Sequence, residues 1–222
     1  MQQLLKMPFN LPNYSKIESF VKKNAQNKVK IIAISKYHPI ESVQEAINSG
    51  LRIFGENRVQ EAKSKYLSLK SIFKDIELHL TGPLQTNKVK NALQVFDVFQ
   101  TLDREKLANE FYKHKKEVQD KSFFVQINTG KEASKSGIYE ESADEFIGYC
   151  LHDLKLSVIG LMCIPPSSEN PAPHFSLLKK IAAKNNLKQL SMGMSGDYEE
   201  AILCGATHIR VGTTLFGPRD EK

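Results

Sequence analysis

The chain has 222 residues, 41% apolar and 25% charged, which suits a single domain over 1–222 with a full core. No apolar stretch approaches the ~20 residues that span a bilayer, and the segment from Met1 to Pro8 is too short and too weakly apolar for a secretory signal, so the expected compartment is the cytoplasm. The net charge of +6 is spread as lysines among acidic neighbours, and Cys150, Cys163 and Cys204 form no CxxC pattern, which argues against specific nucleic-acid binding, a disulfide framework and a zinc site.

Short apolar runs alternate with longer amphipathic segments along the chain. A first helix is expected over about Tyr14–Asn24, followed by a buried strand at Val29–Ser35. Pro39 stands just inside the next helix and Gly50 follows its last turn, with Ile40, Val43, Ala46 and Ile47 on one face. Strand Leu51–Phe54 leads to helix Glu56–Phe73, which carries Glu61 and Lys65 as an i,i+4 pair. Strand Ile76–Thr81, helix Thr86–Gln94, strand Val95–Thr101 and helix Asp103–Glu117 come next, then strand Ser122–Asn128 and helix Tyr139–Leu151. Strand Leu156–Met162 is followed by a Pro/Ser-rich stretch over Ile164–Pro173, read as a long loop, and by helix Pro173–Asn185. Strand Leu187–Ser191, helix Asp197–Cys204 and strand Thr207–Val211 close the series, with Asp103 and Asp197 as helix N-caps.

Eight strands alternating with helices predict an α/β fold, a single (β/α)8 TIM barrel with an extra N-terminal helix. An open doubly wound sheet is the alternative, but no Gly-x-Gly-x-x-Gly follows the first strand and no phosphate-binding Gly-Lys-Ser/Thr loop occurs. In such barrels the chemistry sits at the carboxyl ends of the strands. Lys36 stands there after strand one, where an amine can carry a carbonyl ligand as a Schiff base. After strands seven and eight, Gly193, Gly196 and Gly212 leave the backbone open to an anion, and Ser195 and Thr213 add hydroxyls. Asp197 begins a helix whose N-terminus would face that anion. A phosphate cup and a lysine together suggest pyridoxal 5′-phosphate, PLP.

Ile34-Ser35-Lys36, Phe54-Gly55-Glu56-Asn57, Leu80-Thr81-Gly82-Pro83-Leu84-Gln85-Thr86-Asn87-Lys88, Lys135-Ser136-Gly137, Gly160-Leu161-Met162, Ser191-Met192-Gly193-Met194-Ser195 and Arg210-Val211-Gly212-Thr213 follow one another in this order. Over about Val29 to Arg219 the chain thereby resembles the YggS/PROSC family of pyridoxal-phosphate-binding proteins. The resemblance implies a barrel of the alanine racemase N-terminal domain type, a role in intracellular vitamin B6 homeostasis, and buffering or delivery of PLP, with apo PLP-dependent enzymes as recipients. It implies that Lys36 is the Schiff-base lysine, that Asn57 lies beside the ring, that Ser195, Gly212 and Thr213 form the phosphate cup, and that Arg210 partners the pyridine nitrogen. Met162 matches a residue packed on the cofactor and Lys135 a lysine at the pocket mouth; core packing and a solvated loop explain these two equally well. His79 reads as a satisfied core histidine, and His38 as a capping or exposed residue.

A guanidinium cannot accept a proton. At Arg210 it would leave the ring nitrogen unprotonated and the ring a weak electron sink. A racemase also needs a second base, and after Arg219 only Asp220-Glu221-Lys222 remain. The expectation is a monomeric PLP carrier without turnover. The alternative is a weak PLP-dependent amino-acid racemase or lyase using Lys36 with Tyr37, His38 or Lys135.

Overall fold

The apolar periodicity resolves into nine α-helices and eight strands in the computed structural model, which describes residues 9–218. In chain order these are α1 Leu11–Asn24, β1 Lys30–Ile34, α2 Ile40–Asn48, β2 Ile53–Glu56, α3 Val59–Ile72 and β3 Glu77–Leu80. A 3-10 turn at Thr86–Lys88 runs into α4 Val89–Leu93, and β4 Val98–Leu102, α5 Glu105–Lys113, β5 Ser122–Ile127 and α6 Glu140–Gly148 follow. The chain ends with β6 Val158–Cys163, α7 Pro171–Lys184, β7 Gln189–Ser191, α8 Tyr198–Leu203, β8 His208–Val211 and the single turn α9 Thr213–Phe216. Residues 1–8 and 219–222, on which the readings of the N-terminus and of the last residues rest, lie outside the described residues.

All strands are parallel and close into a barrel in sequence order, with β8 returning to β1 through the pairs Lys30↔His208, Ile32↔Arg210 and Ala33↔Val211. Successive side chains alternate between the barrel interior and the helix layer. Ala33, Phe54, Leu78 and Phe123 therefore join the large core beneath the helices, where Phe99, Phe111 and Phe123 pack ring on ring. Gly55 faces inward, where a Cβ would stand 2.4 Å from Ile34 Cδ1. The helix that follows β8 is one turn, and α1 fills the gap in the outer ring. It packs on α8 and α9, with Asn13 Nδ2 donating to the Thr214 carbonyl at 2.9 Å.

Several local expectations shift. Pro39 is the N-cap of α2 rather than a residue inside it. Glu56 ends β2, and α3 begins three residues later. Asp103 is not a cap: Arg104 takes the N-cap position of α5, and the nearly buried Asp103 carboxylate accepts from the Arg104 guanidinium at 2.5 Å. Asp197 does occupy the N-cap position of α8, but its carboxylate accepts from Met194 N at 2.5 Å and makes no capping bond to the helix. Helix α7 starts at Pro171, because Asn170 Oδ1 accepts from Ala172 N at 3.0 Å and proline is tolerated in a first turn. Among the described residues no helix is long and apolar enough to cross a membrane.

Candidate functional site

Lys36 lies half-buried just past β1 in a tight turn, with Tyr37 left-handed at φ 67°. A non-glycine residue holds that conformation only where its surroundings enforce it. Here an ion cluster beneath the turn does so. Lys65 Nζ donates to the Ser35 carbonyl at 2.9 Å and the His38 carbonyl at 3.2 Å, and Tyr37 N–H donates to Glu61 Oε1 at 2.5 Å. The same ammonium pairs with Glu61 at 2.9 Å and with the fully buried Glu56 at 2.6 Å. Ser35 Oγ donates to Glu56 Oε1 at 2.7 Å and lies 2.6 Å from the Tyr66 hydroxyl. Glu56 Oε2 is buried with no hydrogen-bond partner. Burial raises the Glu56 carboxyl above its usual range, against the opposing charge of Lys65. The spacing reading finds the Glu61–Lys65 pair but not the buried Glu56 that shares Lys65 with it. The missed signal is that Glu56 shares the outward phase of Phe54, which buries it under α3.

Asn57 continues β2. Its Oδ1 accepts from Thr81 Oγ1 at 2.9 Å. Gly82 is small for this reason: a Cβ there would stand 2.7 Å from Asn57 Cβ and 2.6 Å from its carbonyl oxygen. The Arg58 guanidinium covers the exposed Tyr37 ring at 5.3 Å.

On the other side of β1 come the turns after β8 and then β7. Gly193 adopts φ 90°, and a Cβ there would meet Ala201 Cβ at 2.5 Å. Ser195 follows half-buried, and nothing lies within 4 Å of a Cβ built on Gly196. Gly212 is the N-cap of α9, and a Cβ on it would press on Ile34 Cβ and the Ile34 carbonyl at 3.3 Å. Thr213 is exposed at the rim. The Phe216 ring of α9 stacks on His38 at 5.2 Å and packs on Phe9 at 5.7 Å. That stack fastens the glycine turn after β8 to the Lys36 turn. It also corrects the exposed reading of His38, which is buried against an aromatic ring that sequence spacing could not place beside it.

Arg210 projects into the barrel interior and is 4% exposed. Its NH1 donates to Ser191 Oγ at 2.7 Å and its NH2 to the Cys163 carbonyl at 2.8 Å. Burial pulls its pKa down, yet a guanidinium keeps its proton in proteins. Burial drives His208 down to about 3 and also lowers His79, so both interior histidines are neutral at pH 7. His79 is the satisfied core residue expected, held between Glu77 and Gln100.

Lys36, Asn57, Ser195, Arg210, Gly212 and Thr213 thus come from the adjoining strands β7, β8, β1 and β2 and form one arc of the barrel mouth. Met162 belongs to β6 and is fully buried against Val98 and Phe124. Lys135 stands apart on the loop after β5, exposed, with Glu132 at 3.6 Å. Among the described residues no three His, Cys, Asp or Glu side chains are grouped to hold a metal ion.

Residues 13–220 match the family described as alanine racemase, N-terminal domain. A pyridoxal phosphate homeostasis protein of Aquifex aeolicus is 41% identical over 206 residues, covering 87% of this chain and 89% of that one. The structure of PipY from Synechococcus elongatus with PLP bound superposes with a TM-score of 0.81 at 32% identity, covering 93% of this chain and 99% of that one. Alanine racemase from Acinetobacter baumannii shares the fold at a TM-score of 0.73 and 17% identity, covering 96% of this chain and 64% of that one.

Proposed function

The chain belongs to the pyridoxal phosphate homeostasis protein family, and from that premise we propose that it binds PLP covalently through Lys36 and buffers or delivers it within the cell. The observation that carries this reading is the arc at the barrel mouth, which sets a half-buried lysine beside two glycine turns bearing hydroxyls. The donor set suits PLP. Gly193 leaves no room for a Cβ and Gly212 only a tight one, so backbone lines the turns, and with Ser195 and Thr213 it offers the neutral donors a phosphate takes. Bound there, PLP would supply an aldehyde for the Lys36 amine to take up covalently with loss of water.

The remaining roles fall to the protein. Lys36 presents the amine from a turn held on both sides by Lys65 and Glu61. Asn57, anchored by Thr81, stands where it can flank the ring. Arg210, fixed by Ser191 and the Cys163 carbonyl, would meet the ring nitrogen as a donor that cannot protonate it. That contact disfavours transaminase-like chemistry, and racemisation would need a second base as well, so the reading is a carrier, with apo PLP-dependent enzymes as recipients.

The test is the absorbance of purified protein mixed with PLP, before and after borohydride reduction. The wild type develops the Schiff-base band, and reduction fixes label on the peptide containing Lys36. The Lys36→Ala variant shows neither. A normal band in that variant, or label on another lysine, would overturn the assignment.

A further inference from the structure

TIM-barrel interiors are usually filled by branched apolar side chains in layers. This one carries an unbroken polar chain from its floor to Arg210. Lys30 Nζ donates to both oxygens of Glu77 at 2.8 and 2.9 Å, where the two side chains are partly exposed. Glu77 Oε1 lies 2.7 Å from His79 Nε2, and His79 Nδ1 lies 2.8 Å from Gln100 Nε2. Ser191 Oγ donates to Gln100 Oε1 at 2.6 Å and accepts from Arg210 NH1 at 2.7 Å. His79, Gln100 and Ser191 are each fully buried.

The chemistry of the two ends fixes the direction of every bond between them. An ionised carboxylate only accepts, so His79 must carry its proton on Nε2. A neutral imidazole then accepts at Nδ1, which requires the Gln100 amide nitrogen to face it. That turns Gln100 Oε1 toward Ser191, whose single hydroxyl proton goes there. Its oxygen lone pair is left for Arg210, which only donates. Reversing any one link would aim a donor at the guanidinium.

We propose that Glu77, His79, Gln100 and Ser191 are positioning residues for Arg210: the carboxylate at the barrel floor sets the polarity of the chain, and the chain holds the guanidinium where it meets the ring nitrogen of PLP. The proposal rests on the reading that Arg210 contacts the cofactor. The hydrogen bonds in such a chain polarise one another in the same sense, and one that ends on a charged donor is stronger than a neutral pair.

Two measurements on the full-length protein test it. In the PLP-free protein, ¹⁵N-resolved NMR of His79 shows the Nε2–H tautomer; the opposite tautomer would overturn the polarity. The second is the PLP dissociation constant by absorbance titration. Ser191→Ala and Gln100→Leu each weaken binding about tenfold, the effect of losing one hydrogen bond to a charged group. Gln100→Glu still accepts from Ser191 and holds affinity within about twofold, while a second proton appears on His79 between two carboxylates. If Gln100→Leu does not fold, Ser191→Ala decides, and binding within about twofold of wild type there would overturn the relay. Arg210→Met separates the two claims. If it binds PLP like the wild type, the cofactor contact itself is wrong. If it binds weakly while Ser191→Ala binds normally, the relay alone fails.

Discussion

Lys65→Met removes the cation that Glu56, Glu61 and the Ser35 and His38 carbonyls share beneath the Lys36 turn, while keeping most of the volume of the stem. Deleting one partner of a buried ion pair costs ~3–5 kcal/mol, a large part of the ~5–15 kcal/mol that holds a typical domain folded. Glu56 bears most of that cost, because it is 0% exposed and its Oε2 already has no partner. Burial raises its folded-state pKa above 4.5, and Lys65 is the first influence opposing the rise, so the variant raises it further. A carboxyl with a raised folded-state pKa binds its proton more tightly when folded. Its contribution to stability is complete below the unfolded value and is lost as pH climbs through the folded one. The Lys65→Met penalty is therefore largest at pH 7.5 and shrinks toward pH 5, as Glu56 takes up a proton. Urea unfolding followed by circular dichroism should show a loss of ~3 kcal/mol at pH 7.5 and a loss smaller by at least ~1 kcal/mol at pH 5. Adding Glu56→Gln to the variant should recover ~1–2 kcal/mol at pH 7.5. An equal penalty at both pH values, or one below ~1 kcal/mol at pH 7.5, would refute the account of the cluster.

Two further outcomes follow from the geometry. Gly193→Ala combines a φ of 90° with a Cβ 2.5 Å from Ala201 Cβ, and it should lower stability by ~2–4 kcal/mol, read as a drop in Tm of roughly 5–10 °C; an unchanged melt would contradict the crowding. Burial pushes the Glu77 carboxyl up, but hydrogen bonds from His79 and Lys30 outweigh it and hold the pKa at about 2. Its stabilisation is present above the unfolded value of 4.5 and is lost as pH falls through about 2. At this partly exposed site that amounts to ~1–2 kcal/mol, and Glu77→Gln should flatten the acid limb of the stability profile by that amount. A variant profile parallel to the wild type would count against it.

The architecture was legible because a parallel barrel buries its strands on both faces, and such strands read as apolar runs, as Val29–Ser35 and Ser122–Asn128 do. The glycine turns after strands seven and eight were legible for a related reason: Gly193 sits where no Cβ fits, and Gly212 where one would be tight against Ile34. What stayed hidden depended on partners distant in sequence. Asp103 looks like a helix cap until Arg104 claims it. His38 looks exposed until Phe216, far along the chain, stacks on it. Glu56 looks like the start of a helix until β2 extends through it and turns its carboxylate under α3. The interior polar chain joins residues of β1, β3, β4, β7 and β8, and only closure of the barrel brings them together.

The structure also bears on the alternative of slow racemase or lyase turnover. Exchange at an amino-acid Cα on both faces requires a base opposite Lys36 within proton-transfer reach. The three groups that sequence offered each have other contacts. Tyr37 points its exposed ring under the Arg58 guanidinium, His38 is buried against Phe216, and Lys135 sits on a solvated loop beside Glu132. In the proposed site Arg210 would stay protonated and give the ring nitrogen no proton, which disfavours transaminase-like chemistry but is tolerable for racemisation. Incubating PLP-loaded protein with individual amino acids in deuterated water should therefore give Cα exchange no faster than an equal concentration of free PLP, measured by proton NMR. Exchange well above that level and lost in Lys36→Ala would show that the site turns over, and Tyr37→Phe and Lys135→Ala would then identify which group supplies the second base.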